Sequence, residues 1–153
     1  MRVGVASLAV LLLAGCTSPL AQSSSPSPTA SAARPTASAK PAKLHSPVPM
    51  PNGFPADVPV YPGARLTAAA GFPSTATTAW GMEWETLDSV GKVLAFYQQK
   101  MNQGDWTMKV SSSSQTAFHA GFNRHSDPAV GGTLAANDNG GVTKIDLSLV
   151  SSG

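Results

Sequence analysis

The sequence predicts an α+β domain between about residues 53 and 153, with one amphipathic helix packed on a mainly antiparallel sheet of five to six strands. The expected order is β-β-α-β-β-β-β. Three observations predict it. Thr77 to Glu85 alternates strictly, placing Trp80, Met82 and Trp84 on one side and Glu83 and Glu85 on the other, the period of a half-buried strand. From Asp88 onward the period changes, with Val90, Val93, Leu94, Tyr97 and Met101 recurring at three- and four-residue steps. After Trp106 alternation returns and is punctuated by glycine-rich turns, the pattern of an antiparallel meander that can leave one face wet.

The elements follow in order. Phe54 to Ala64 carries Pro55, Pro59 and Pro62, so it is expected to be an extended arm ending in a Pro-Gly turn. Leu66 to Phe72 is a short strand and Thr77 to Glu85 the second. Asp88 is the expected N-cap of the helix, with Leu87 stapled onto its first turns and Gly104 as the left-handed residue beyond its end, giving about four turns. Trp106, Met108 and Val110 start the third strand, with Ser111–Ser114 as its turn. Thr116 to Asn123 places Phe118, Ala120 and Phe122 on one side. Asp127-Pro128 and Gly131-Gly132 read as punctuation, Thr133 to Ala136 as a short strand and Asn137 to Gly141 as a hairpin. Val142 to Val150 closes the sheet with Ile145, Leu147 and Leu149 inward. One helix on one sheet is a two-layer arrangement, and this length suffices for one modest core.

The upstream third has a different composition. Met1-Arg2, the apolar run Val3–Leu13 and the small pair Ala14-Gly15 form a positive, then apolar, then small-residue series typical of a secretory signal. The run falls short of the roughly 20 apolar residues that span a bilayer. The 36 residues from Thr17 to Asn52 contain eight Pro, eight Ser, seven Ala and three Thr. That leaves too little apolar surface to offset the entropy of ordering, so residues 16–52 are expected to be a disordered tether or stalk. Its coil dimension is roughly 35 Å.

Leu13-Ala14-Gly15-Cys16 resembles the lipobox of bacterial lipoprotein precursors. The resemblance implies cleavage after residue 15, an S-diacylglyceryl group on Cys16 and a membrane anchor, with N-acylation of the new terminus left open. It also implies a domain on the extracytoplasmic side of the cell membrane or outer membrane. Two acyl chains anchor stably where one is marginal. Cys16 is the sole cysteine, so internal disulfides, a Cys nucleophile and Cys metal ligands are excluded. A second likeness is carried by Pro59-Val60-Tyr61-Pro62-Gly63-Ala64, by Val93-x-x-Phe96-Tyr97 and by Gly104-Asp105-Trp106. These resemble a recurrent domain of small exported bacterial proteins; the likeness supports the fold and brings no catalytic set.

Charge excludes one class of partner. The chain is formally +2, but from Gly53 to Gly153 six basic residues stand against eight acidic ones, a net of −2. Basic residues do not cluster among the aromatics, so a phosphate-tracking nucleic-acid surface is not expected. His119, His125 and Asp127 are the nearest approach to a metal constellation, lying on one strand and its following loop, without a zinc-type spacing motif. Glu83 and Glu85 share a strand face, about 7 Å apart, and paired carboxylates of that kind run glycoside hydrolysis when a cleft raises one pKa. The alternative to a binding domain is therefore a small envelope hydrolase or metal-dependent enzyme using His119/His125/Asp127 or Glu83/Glu85. Glycine-serine elbows and phosphate-cradling loops are missing from the sequence. Trp80, Trp84, Trp106, Tyr61 and Phe72 are read as mostly core, with a sugar- or peptide-binding surface as the alternative, and Phe96 stands beside Tyr97 at the edge of the helix stripe. The favoured expectation is a non-enzymatic interaction domain without cofactor, whose ligand is an envelope protein, a cell-wall component or a small molecule.

Overall fold

The computed structural model describes residues 42–152. The signal segment, Cys16 and the tether as far as residue 41 lie outside the described residues. Six strands and one helix appear in the expected order: β1 Arg65–Pro73, β2 Thr77–Thr86, α1 Val90–Lys100, β3 Trp106–Ser113, β4 Ala117–Arg124, β5 Gly131–Asn139 and β6 Val142–Ser152. All neighbours pair antiparallel in one sheet of order β1-β2-β6-β5-β4-β3. The β2 and β3 strands therefore run the same way with three strands between them, and α1 carries the chain back across the sheet to its far edge.

Alternation sorts the two faces. Trp80, Met82, Trp84, Phe118, Phe122, Leu134, Ile145, Leu147 and Leu149 are buried on the helix side, where Val90, Val93 and Tyr97 of α1 meet them. The helix lies over β4 and β5. The arm from Phe54 to Tyr61 covers the other half of that face: Phe54 packs edge-on against Trp80 at 5.6 Å and Trp84 at 6.4 Å. Val58 and Tyr61 join the core. Two indole N–H groups find acceptors, Trp80 on Ser151 Oγ at 3.0 Å and Trp106 on Asp57 Oδ2 at 3.1 Å, as buried indoles require. Arg124 lies 4.3 Å from the Trp106 ring centre and pairs with Asp57 at 2.6 Å, tying the arm to β3 and β4.

The structure differs from expectation at four places, each for a local reason. The helix N-cap is Ser89, without a side-chain cap hydrogen bond. The Asp88 carboxylate instead accepts from Lys92 Nζ at 2.7 Å and from Tyr61 Oη at 3.1 Å, and Leu87 is 60% exposed rather than stapled. The helix runs three turns, not four. Asn102 ends it by donating to Gln98 O at 2.8 Å while accepting from Met108 N at 3.0 Å, the competition for backbone groups typical of Asn. Gly104, at φ +74°, serves the turn into β3 instead of the helix end itself. Ser111–Ser113 extend β3, and the turn falls at Ser114, whose N–H reaches Ala117 O at 2.8 Å.

Gly131 and Gly132 are strand residues of β5, not a turn. A Cβ on Gly132 would lie 1.8 Å from Ser148 O, and one on Gly131 would lie 2.4 Å from Phe122 O. The glycines are there because β5 approaches its neighbours too closely for a side chain. The turn of the β5–β6 hairpin is Gly140-Gly141, both left-handed at φ +63° and +87°, as a two-residue turn of this hand demands. Gly132→Ala is expected to cost about 3 kcal/mol in urea unfolding through forced backbone displacement. Gly81→Ala, where a Cβ meets nothing within 4 Å, is expected to stay within about 1 kcal/mol of the parent. Equal effects at both positions would contradict the close approach.

Candidate functional site

Among the described residues no helix lies on the side of the sheet away from α1, and the registers resolve that side into rows that cross all six strands. One row reads Ala68, Glu83, Asp146, Ala135, His119, Ser112; the next reads Ala70, Gly81, Ser148, Thr133, Gly121, Lys109. A third runs Phe72, Ala79, Val150, Gly131, Asn123, Thr107. The middle of this face is built of Gly, Ala, Ser and Thr, so it is smooth and shallow. Two apolar side chains stand out of it, Phe72 at 67% and Val150 at 42% exposure. They flank a depression of about 400 Å³ above Gly81, Gly132 and Ser148. A larger open groove, about 720 Å³, lies between residues 48–52 and β1 and reaches none of the carboxylates.

The end of this face nearest the β5–β6 hairpin is covered by the start of the described chain. His45 donates its backbone N–H to Glu85 Oε2 at 2.8 Å, and its Nδ1 lies 2.6 Å from Glu85 Oε1. Arg65 reaches His45 O at 2.9 Å, and Val48 N–H bonds Leu66 O at 2.8 Å along the edge of β1. Residues 42–52, assigned to the tether from composition, thus hold fixed places on the domain. Glu85 is 1% exposed, although its cover is a single extended segment. Burial pushes its carboxyl up, but the two hydrogen bonds from His45, with the charges of His45 and Lys144, outweigh that and hold it below its ordinary value.

Glu83 and Glu85 do share a face, but each has its own partner. Glu83 pairs with Lys144 Nζ at 2.8 Å and accepts from Thr67 Oγ1 at 3.1 Å. A glycosidase acid needs a raised pKa, and Glu85 is shifted the opposite way. The carboxyl raised on this face is Asp146, pushed up by burial among its neighbours and by the nearby Glu83 charge, with Lys144 opposing; its side chain nevertheless keeps an open side to solvent.

The structure does not bring His119, His125 and Asp127 together. His119 stands exposed on the open face of β4. His125 Nε2 contacts Thr107 Oγ1, and Asp127 caps its own loop through Ala129 N–H at 3.1 Å. Among the described residues, no group of three or more His, Cys, Asp or Glu side chains is placed to hold a metal ion. Trp80, Trp84, Trp106 and Tyr61 are buried, and Phe96 is half-buried between Tyr61 and Tyr97 at ring distances of 5.2 and 5.1 Å.

His45 is the residue that sequence reasoning passed over. A signal for it exists: Leu44, Val48 and Met50 resume the large apolar residues that are otherwise almost absent from Thr17 to Asn52. Comparisons of the chain with protein-family models, with curated proteins and with solved structures find no match.

The Glu85 contact makes the docking of residues 42–52 sensitive to acid. Because the folded pKa lies below the ordinary 4.5, docking favours the ionised carboxylate. Its contribution is therefore present above that value and lost as pH falls through the lowered one. Hydrogen exchange at the His45 and Val48 amides, corrected for intrinsic rates, is expected to accelerate below about pH 4.5. Glu85→Gln is expected to show the faster exchange already at neutral pH. Equal protection in both proteins at pH 7 would contradict the latch.

Proposed function

We propose that the chain is a bacterial lipoprotein, anchored through lipid on Cys16, whose domain is a non-enzymatic interaction module working through the open face of its sheet. The observation that carries this reading is the composition of that face. Half of an exposed six-stranded sheet is ordinarily dressed with long charged side chains. Here charged residues are only 12% of the chain, and the central row is Ala70, Gly81, Ser148, Thr133 and Gly121, with a long side chain only at its β3 edge, Lys109. A surface so free of long flexible side chains loses little rotamer entropy when a partner covers it.

The candidate catalytic groups support binding over chemistry. Glu83 and Glu85 are engaged by Lys144 and His45, His125 by Thr107, and the openings over the sheet are broad and shallow. The position of the arm fits the anchor. The described chain begins at Ala42, whose Cβ packs near the Gly140-Gly141 turn at one end of the sheet, and the described residues leave the rows beyond that end uncovered.

The anchor is tested by metabolic labelling with a clickable fatty-acid analogue. The parent chain is expected to label and to sediment with membranes. Cys16→Ser is expected to lose the label and to leave the membrane fraction. Undiminished labelling of Cys16→Ser would overturn the lipobox reading.

A further inference from the structure

We propose that the occupant of the open face is a second copy of this chain, packed face to face about a two-fold axis that runs parallel to the strands between β5 and β6. The inference rests on the open face being the working surface and adds who covers it.

Geometry makes the proposal specific. A two-fold axis of that direction, passing through the middle of the six strands, sets each cross-strand row against the same row of the other copy, read in reverse. In the first row Glu83 then faces the partner's His119, and Asp146 faces the partner's Ala135. In the second row Gly81 faces the partner's Gly121, and Ser148 faces the partner's Thr133. In the third, the protruding Val150 faces the partner's Gly131. Val150 meets a glycine and Glu83, which keeps its own Lys144, meets the partner's His119, while Asp146, Lys109 and Phe72 meet the partner's Ala135, the partner's Ala70 and the partner's Thr107. The β2–β6 half carries Glu83 and Asp146 against the single base Lys144, whereas Lys109 and His119 lie on the β3–β4 half. An isologous contact needs that division, because each half must fit the other.

Size and placement agree. Six strands about 4.8 Å apart, over the roughly 20 Å of strand left clear by the arm, offer about 600 Å² per copy and near 1,200 Å² in total. That is the lower limit of specific interfaces, so the pairing is weak between free molecules and strengthened where both are confined to one membrane. An axis parallel to the strands also keeps both copies of Ala42 at the same end of the pair, as two tethers rising from one membrane require. Aligned packing of two sheets is an ordinary mode, and the glycine-rich middle permits close approach.

The test uses the full chain in a bacterial envelope, co-expressed with two different tags and carrying a photo-cross-linking residue at Lys109, on the rim opposite the partner's Ala70. The expected result is an adduct of twice the chain mass that carries both tags. His119→Asp, which sets like charges opposite each other, is expected to lower its yield about tenfold. Adding Glu83→Lys to the same chain is expected to restore it. Val150→Arg is expected to lower the yield independently, and thermal unfolding verifies that each variant is folded. An unchanged yield in both His119→Asp and Val150→Arg overturns the proposal. An adduct dominated by a different protein overturns the second copy as occupant and keeps the open face as the working surface; failure to form any adduct overturns both. Fatty-acid labelling of the same samples reads the anchor separately from the pairing.

Discussion

The rest of the structure depends on one mismatch of size: an eleven-residue helix cannot cover a six-stranded sheet. The helix α1 is about 17 Å long, and the outer strands of the sheet stand about 25 Å apart. It sits over β4 and β5, which leaves Trp80 and Trp84 of β2 without a lid. The proline-bearing arm supplies that lid, with Phe54 on both indoles and Val58 and Tyr61 in the core. The arm is then fixed at its far end by Asp57, which receives Trp106 and Arg124 together. What the prolines mark as an extended entry arm is half of the second layer.

The same scarcity shapes the other face. With one helix and one arm spent on the first side, the described residues supply no layer for the second, so within them its strands must tolerate water or a partner. Most such faces meet this with charge. This one uses small residues through its middle and keeps its carboxylates toward one end, Glu83 engaged by Lys144, Glu85 by the latch of His45, and Asp146 open to solvent beside them. The chain thus crosses one end of the open face, rounds the edge at β1 through Val48 and Leu66, and continues as the lid of the other face. One continuous segment serves both sides of the sheet.

The strands and their faces were readable from period-two alternation because a pleat allows no other arrangement once one side is buried. Trp80, Met82 and Trp84, or Ile145, Leu147 and Leu149, declare their side without help from tertiary context. The helix boundaries were less readable, because Asp88 had better partners in Lys92 and Tyr61 and because Asn102 closed the last turn. Gly131 and Gly132 look like a turn until the backbone of β6 is seen against them. The site was least readable of all. Its rows join residues as remote as Thr77 and Ser152, and the latch spans the 40 positions from His45 to Glu85. Local patterns carry no information about either. The pairing of Glu83 with Lys144 also needed the register of β2 on β6, and that register removes Glu83 and Glu85 from the list of free carboxylates.

The claim that most of this account leans on is that the arm is a structural layer of the domain. Urea unfolding of Phe54→Ala, followed by tryptophan fluorescence and by far-ultraviolet circular dichroism, tests it directly. Removing the ring that packs on Trp80 and Trp84 is expected to cost about 2 kcal/mol, with both probes reporting one transition. A loss below about 0.5 kcal/mol, the scale of an ordinary surface substitution, or an early fluorescence change preceding the loss of secondary structure, would show that the arm is an appendage and that the sheet is closed by the helix alone.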